Sequence, residues 1–160
     1  MSGQRPRRTA RTLTTFVGGD EAAYETCRPV FATFSTTVQR LGGPGSGQLT
    51  KLLNNALTIT NMKNAEDVLG IAQELGVDIK TFIDVISVSS GSSFALRSLG
   101  REVSVELAPD LQNLMRKDIQ HFAVAVRAEG LDPTTVYGRG LACASGLVNA
   151  VTLVSNGGTR

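Results

Sequence analysis

Gly42-Gly-Pro-Gly-Ser-Gly-Gln-Leu-Thr-Lys-Leu-Leu-Asn-Asn-Ala-Leu57 is the stretch at which the chain changes character. Upstream of it the sequence comes in short β-branched segments closed by glycine. Downstream, apolar side chains recur at Leu49, Leu52, Leu53, Ala56, Leu57, Ile59, Met62, Ala65, Val68, Leu69 and Leu75, the i, i+3, i+4 rhythm of a helix. Gly42, Gly43, Gly45 and Gly47 permit a tight turn and a close backbone approach where that helix starts. The same stretch sets a lysine and two asparagines among leucines. Lys51 and Asn55 are four residues apart, so they stand one above the other on one helical face.

A chain of 160 residues makes one domain or one and a fraction, and is long enough to bury a core. With 41% hydrophobic and 19% charged residues it reads as globular rather than disordered. No run approaches the roughly 18 apolar residues a membrane span requires, and no signal-type apolar block follows Met1. The sequence therefore predicts a cytoplasmic protein without membrane contact. Net charge is +2, with Arg5, Arg7, Arg8 and Arg11 clustered near the start. Those arginines lack interleaved aromatics and Trp is absent, so they read as a solvated run rather than a nucleic-acid grip. Cys27 and Cys143 lie far apart in helical patterns, which predicts two reduced, buried, small apolar side chains and neither a disulfide nor a metal site.

In chain order, Thr12 to Val17 predicts a strand closed by Gly18-Gly19. Asp20 then caps a helix whose buried stripe is expected to be Ala23, Cys27, Val30, Phe31 and Phe34, kinked or split at Pro29. Thr36 to Leu41 predicts a second strand. The long helix should run from about residue 45 to Leu75 and stop at Gly76. Further helices are expected from Asp78 to about Val88, from Phe94 to Leu99 after the polar Ser89–Ser93 loop, from Pro109 to Gly130, and from Asp132-Pro133 to about Ser155, with a frayed tail over 156–160. The fold class is thus mainly α, with a β-α-β segment over 1–42 and an all-α domain over 43–160.

Two readings of Lys51 and Asn55 follow from their spacing. A lysine held out of water among leucines loses its proton readily, so Lys51 would exchange a proton near neutral pH while Asn55 orients a substrate oxygen. Alternatively Lys51 snorkels to solvent and Asn55 bridges neighbouring helices. Lys117 and Asp118 point about 100° apart, so at most one of them faces a site, and an exposed charge pair is the other reading. His121 has no Ser, Cys or second His at useful spacing and reads as a half-buried helix residue without a catalytic role. Gly45-Ser-Gly47 echoes a dinucleotide-binding turn only superficially, since no third glycine and no acid-bearing strand follow.

Gly45-Ser-Gly-Gln-Leu-Thr-Lys51-Leu-Leu-Asn54-Asn55 resembles the catalytic-helix motif of the β-hydroxyacid dehydrogenases, the group of 3-hydroxyisobutyrate, tartronate semialdehyde and 6-phosphogluconate enzymes. The resemblance covers nearly the whole chain. Thr12-Leu-Thr-Thr-Phe-Val-Gly-Gly19 looks like the family's last sheet segment, and Gly76-Val-Asp78 and Lys117-Asp-Ile119 look like its turn and its Lys-Asp-Leu element. It implies a helical domain of the 6-phosphogluconate dehydrogenase type preceded by a remnant of a Rossmann-like domain. It also implies that Lys51 is the general acid/base, that Asn55 holds the substrate, that Lys117 lies by the nicotinamide of NAD or NADP, and that Ser2-Gly3 binds the substrate carboxylate. Gln4 and Arg11 stand where the family carries glycine. Asn54 and Thr58 replace the His and Glu of the 6-phosphogluconate branch, which favours a small hydroxyacid.

The family's glycine fingerprint is expected upstream of Met1. On this reading the chain is the C-terminal portion of an NAD(P)-dependent 3-hydroxyacid dehydrogenase acting on a small hydroxyacid, a homo-oligomer through its helices, and by itself poor at binding NAD. The rival expectation is a truncated, inactive helical dimerisation module.

Overall fold

The computed structural model describes residues 13–99 and 101–156. The chain divides into two compact units, Met1–Asn54 and Asn55–Arg160, and is mainly helical. None of the helices among the described residues is long and apolar enough to cross a membrane.

In the first unit, β1 (Leu13–Val17) and β2 (Ser35–Arg40) pair in parallel, with Thr14 opposite Thr37 and Val17 opposite Arg40, and α1 (Glu21–Phe31) makes the crossover. The β-branched runs dictate the strands. Asp20 caps α1, its Oδ1 accepting from the Ala23 amide at 3.0 Å. Tyr24 Oη donates to the Val38 carbonyl, and Thr15 and Ser35 share a hydroxyl bond of 2.6 Å between the strands.

The expected buried stripe of α1 is corrected here, since none of its residues is buried. Two strands give a helix too narrow a surface to cover its apolar face, so Phe31 and Phe34 pack edge to face on each other at 6.3 Å. Pro29 does not split α1. It stands in the last turn, and the helix runs on to Phe31.

α2 (Ser46–Glu74) begins in the first unit and runs on in the second. Its start is fixed by close packing: a Cβ on Gly47 would lie 2.7 Å from the Phe16 carbonyl oxygen, and one on Gly18 would lie 2.8 Å from the Gly47 amide nitrogen. In the second unit α2 is joined by α3 (Ile79–Ile86), α4 (Phe94–Ser98), α5 (Ala108–Ala128) and α6 (Thr134–Asn156). Asp78 and Ser93 cap α3 and α4 through the amides of Thr81 and Leu96. Gly76 and Gly130 take positive φ, 76° and 74°, where a side chain would be strained. Asp132 Oδ1 accepts from the Thr134 amide at the start of α6.

The core of this unit gathers Ile59 and Leu69 of α2, Ile83 of α3, Ile119 of α5 and Leu147 and Val151 of α6. The apolar face of α2 is wider than its buried stripe. Ala56, Ile59, Met62, Leu69 and Ala72 are buried, whereas Leu49, Leu53, Leu57, Val68 and Ile71 are exposed, as is Leu75 just past the helix end. A helix turning about 100° per residue can turn only one such stripe inward. Cysteine burial is also corrected. Cys143 is buried on α6, but Cys27 is exposed because it rides on the uncovered α1.

Candidate functional site

Asn55 and Asp118 carry the contact that sequence spacing could not show. Asn55, half-buried on α2, donates from Nδ2 to Oδ2 of Asp118 on α5 at 3.0 Å, across 63 residues of sequence. α2 turns Asn55 inward because it precedes the buried Ala56 and lies four residues before Ile59. α5 turns Asp118 the same way because its neighbour Ile119 is fully buried.

Lys51 is exposed, which corrects the expectation of an amine held out of water. Leu49 and Leu53 beside it are themselves exposed, so the apolar surround that would strip its hydration is not formed by these two leucines. The structure has Lys51 in solvent and Asn55 bridging α2 and α5. Lys117 is exposed while Asp118 is half-buried, so the two diverge as helical geometry requires and Asp118 bonds Asn55. His121, expected half-buried, is exposed; it falls on the outer face of α5, opposite the stripe of Met115, Ile119 and Phe122. Ser2, Gly3 and the arginine cluster at 5, 7, 8 and 11 lie outside the described residues, as does the tail over 157–160.

A second polar cluster went unnoticed in the sequence, although its i, i+3 and i+4 charge spacing on α2 was visible. Lys63 Nζ sits 2.7 Å from Asp67 Oδ1 and 3.0 Å from Glu66 Oε2. Arg139 of α6 reaches back to Asp67 at 3.0 Å and donates from Nε to Asn64 Oδ1 at 2.7 Å. The bond to Asp67 raises the Lys63 pKa above the usual lysine value, and the bond from Lys63 lowers that of Asp67. This cluster clamps α2 to α6.

Two turns bear on whether a dinucleotide's phosphates fit this chain. At Gly18-Gly19-Asp20 the N-terminus of α1 is already taken by the Asp20 carboxylate, which would repel an anion there. At Gly45-Ser46-Gly47 the second glycine is spent on the approach to Phe16, and the Ser46 hydroxyl donates to the Gly43 carbonyl. Neither turn suits a pyrophosphate. Among the described residues no group of three His, Cys, Asp or Glu is placed to hold a metal ion.

A family model described as NAD-binding of NADP-dependent 3-hydroxyisobutyrate dehydrogenase matches residues 45–143. The chain is 37% identical over 82 residues to a probable mitochondrial 3-hydroxyisobutyrate dehydrogenase of Arabidopsis thaliana, covering 51% of this chain and 24% of the relative. It is 29% identical over 121 residues to 2-(hydroxymethyl)glutarate dehydrogenase of Eubacterium barkeri, covering 76% and 40%. A Mycobacterium tuberculosis 3-hydroxyisobutyrate dehydrogenase structure solved with L-serine shares the fold, with a TM-score of 0.69 at 22% identity over 97% of this chain and 58% of that one. The chain thus spans less than two thirds of the length of each of these relatives.

Proposed function

Since the chain belongs to the 3-hydroxyisobutyrate dehydrogenase family, we propose that it provides the substrate side of an NAD(P)-dependent oxidation of a small hydroxyacid. Asn55 holds the substrate oxygen. Lys51, one turn earlier on the same helix, takes the hydroxyl proton during oxidation and returns it to the carbonyl oxygen during reduction. Lys117 stands by the nicotinamide, and Ser2-Gly3 receives the carboxylate. Hydride chemistry belongs to the nicotinamide; the residues of this chain bind, orient and move a proton. The observation that carries the reading is the match over 45–143, which contains Lys51, Asn55 and Lys117 together.

The test is to titrate the chain into NADH and NADPH by nucleotide fluorescence and to assay 3-hydroxyisobutyrate and L-serine as substrates. Micromolar nucleotide binding with turnover supports a competent enzyme, and where there is turnover Lys51→Ala should lower kcat roughly 100-fold or more, the scale of a lost general acid/base. Near-normal turnover by Lys51→Ala overturns its role.

A second reading is favoured by the uncovered stripe of α2: Leu57 is 61%, Val68 51% and Ile71 59% exposed. Large apolar side chains grouped on one helix mark an association surface, which suits a homo-oligomer, and on this reading the chain is a helical pairing module. Absence of nucleotide binding up to millimolar concentration, with a dimer in sedimentation, selects it over the catalytic one.

A further inference from the structure

We infer that the cavity between α2, α3 and the start of α4 is a ligand site separate from the one proposed above, for a neutral molecule with an apolar body and a carboxamide. Its volume is about 440 Å3, within the range of small-molecule pockets. The apolar walls are Ala65, Val68 and Leu69 of α2, Phe82 and Ile86 of α3 and Leu96 of α4. Lys51, Asn55 and Lys117 are not among its lining residues.

The polar groups at the wall set the chemistry of the ligand. Two hydroxyls there are already spent. Ser92 Oγ donates to the Ser87 carbonyl at 2.8 Å and accepts from Arg97, and Ser93 Oγ accepts from the Leu96 amide. Asn64 accepts at Oδ1 from Arg139 Nε at 2.7 Å, which leaves its NH2 to donate. Asn61, three residues earlier on α2 and half-buried, has no hydrogen-bond partner among the described residues. Its amide therefore offers a donor and an acceptor side by side. A primary carboxamide answers both at once, giving an N–H to the Asn61 oxygen and taking one from its nitrogen.

No ionisable side chain lines the cavity. An anion entering it would leave water without a counter-charge, which is costly, so the cavity does not suit a hydroxyacid or a dinucleotide phosphate. Val68 also belongs to the exposed stripe of α2, which makes a second copy of the chain the competing occupant. Closing the cavity with an apolar helix face would bury the Asn61 amide unbonded, a cost that a hydrogen-bonding ligand avoids.

The experiment uses the full chain, labelled with 15N and with 13C at the leucine methyls, and three probes built on one ring: benzamide, its near-isostere benzoate, and toluene. The Asn61 side-chain NH2 signals are assigned by their loss in Asn61→Leu. Benzamide should shift those signals and the methyls of Leu69 and Leu96, saturating with a Kd of about a millimolar or below, and benzoate should bind at least about tenfold more weakly. Asn61→Leu should weaken benzamide about tenfold and leave toluene bound as well or better. Benzoate binding as tightly as benzamide, or benzamide leaving the Asn61 and leucine signals unmoved, overturns the inference in the wild-type chain alone. Unchanged benzamide affinity in Asn61→Leu overturns it as well. Asn61 and Leu96 signals that move with protein concentration as a dimer forms in sedimentation, and that no longer respond to benzamide, assign the cavity to a second copy and overturn it too. Each of these failures leaves the proposed hydroxyacid site untouched.

Discussion

Ile119 of α5 lies directly over the bare Cα of Gly140 on α6: a Cβ at position 140 would stand 2.4 Å from Ile119 Cγ1 and 2.7 Å from Cδ1. Ile119 is fully buried, so its branched side chain has nowhere to retreat. Alanine is favoured over glycine in a helix by up to about 1 kcal/mol, while overpacking costs about 1–3 kcal/mol. Overpacking wins. Gly140→Ala should lower stability by roughly 1–2 kcal/mol, read as a reduced urea midpoint. Gly138, on the same helix, has nothing within 4 Å of its Cβ position, so Gly138→Ala should be neutral or stabilising. Equal midpoints for the two variants would contradict the packing described.

The Lys63–Asp67 pair gives the stability a pH dependence at both ends. The hydrogen bond from Lys63, aided by Arg139, holds the Asp67 pKa below the usual carboxylate range. Its contribution is therefore present above the unfolded value of about 4 and is lost as pH falls through the lower folded value. Lys63 is raised above 10.5, first by its bond to Asp67. That contribution is present below 10.5 and disappears as pH rises through the higher folded value. Melting temperature should therefore fall at both extremes, with Asp67→Asn flattening the acid limb. Because Asp67 is partly exposed, added salt should weaken the effect. Identical acid limbs for wild type and Asp67→Asn would rule the pair out as their cause.

The two cysteines should differ sharply toward a thiol reagent. Burial, and then the charge of Glu66, push the Cys143 thiol up to about 11. Little thiolate is present at pH 8, and the side chain is covered by the helices around it. Cys27 is exposed. At pH 8 one thiol per chain should react promptly, and the second only in denaturant. Two rapidly reacting thiols in the native protein would mean that α6 is not packed as described.

Much of the fold was legible in the sequence because its signals are local. Asp20 and Asp78 cap helices where the pattern of an acid before an apolar run predicted, Asp132 bonds the first amide of the helix expected to start there, and Gly76 and Gly130 stop helices as glycines with positive φ do. The two strands appear within a residue or so of their expected ends. Burial was less legible, since α1 and half of the apolar residues on α2 read as core and are exposed. A hydrophobic period marks a face, but whether the face is covered depends on what packs against it.

The sequence by itself determined the helices and strands, the glycine stops and the family motif from Gly45 to Asn55, because backbone preference and side-chain period are carried by neighbouring residues. Only the tertiary structure decided that Asp118 reaches Asn55, that Lys51 stands in solvent, and that Gly140 makes room for Ile119. Those contacts join positions as many as 63 residues apart, and no rule of local spacing brings such groups to hydrogen-bonding or van der Waals distance; the packing of whole helices does.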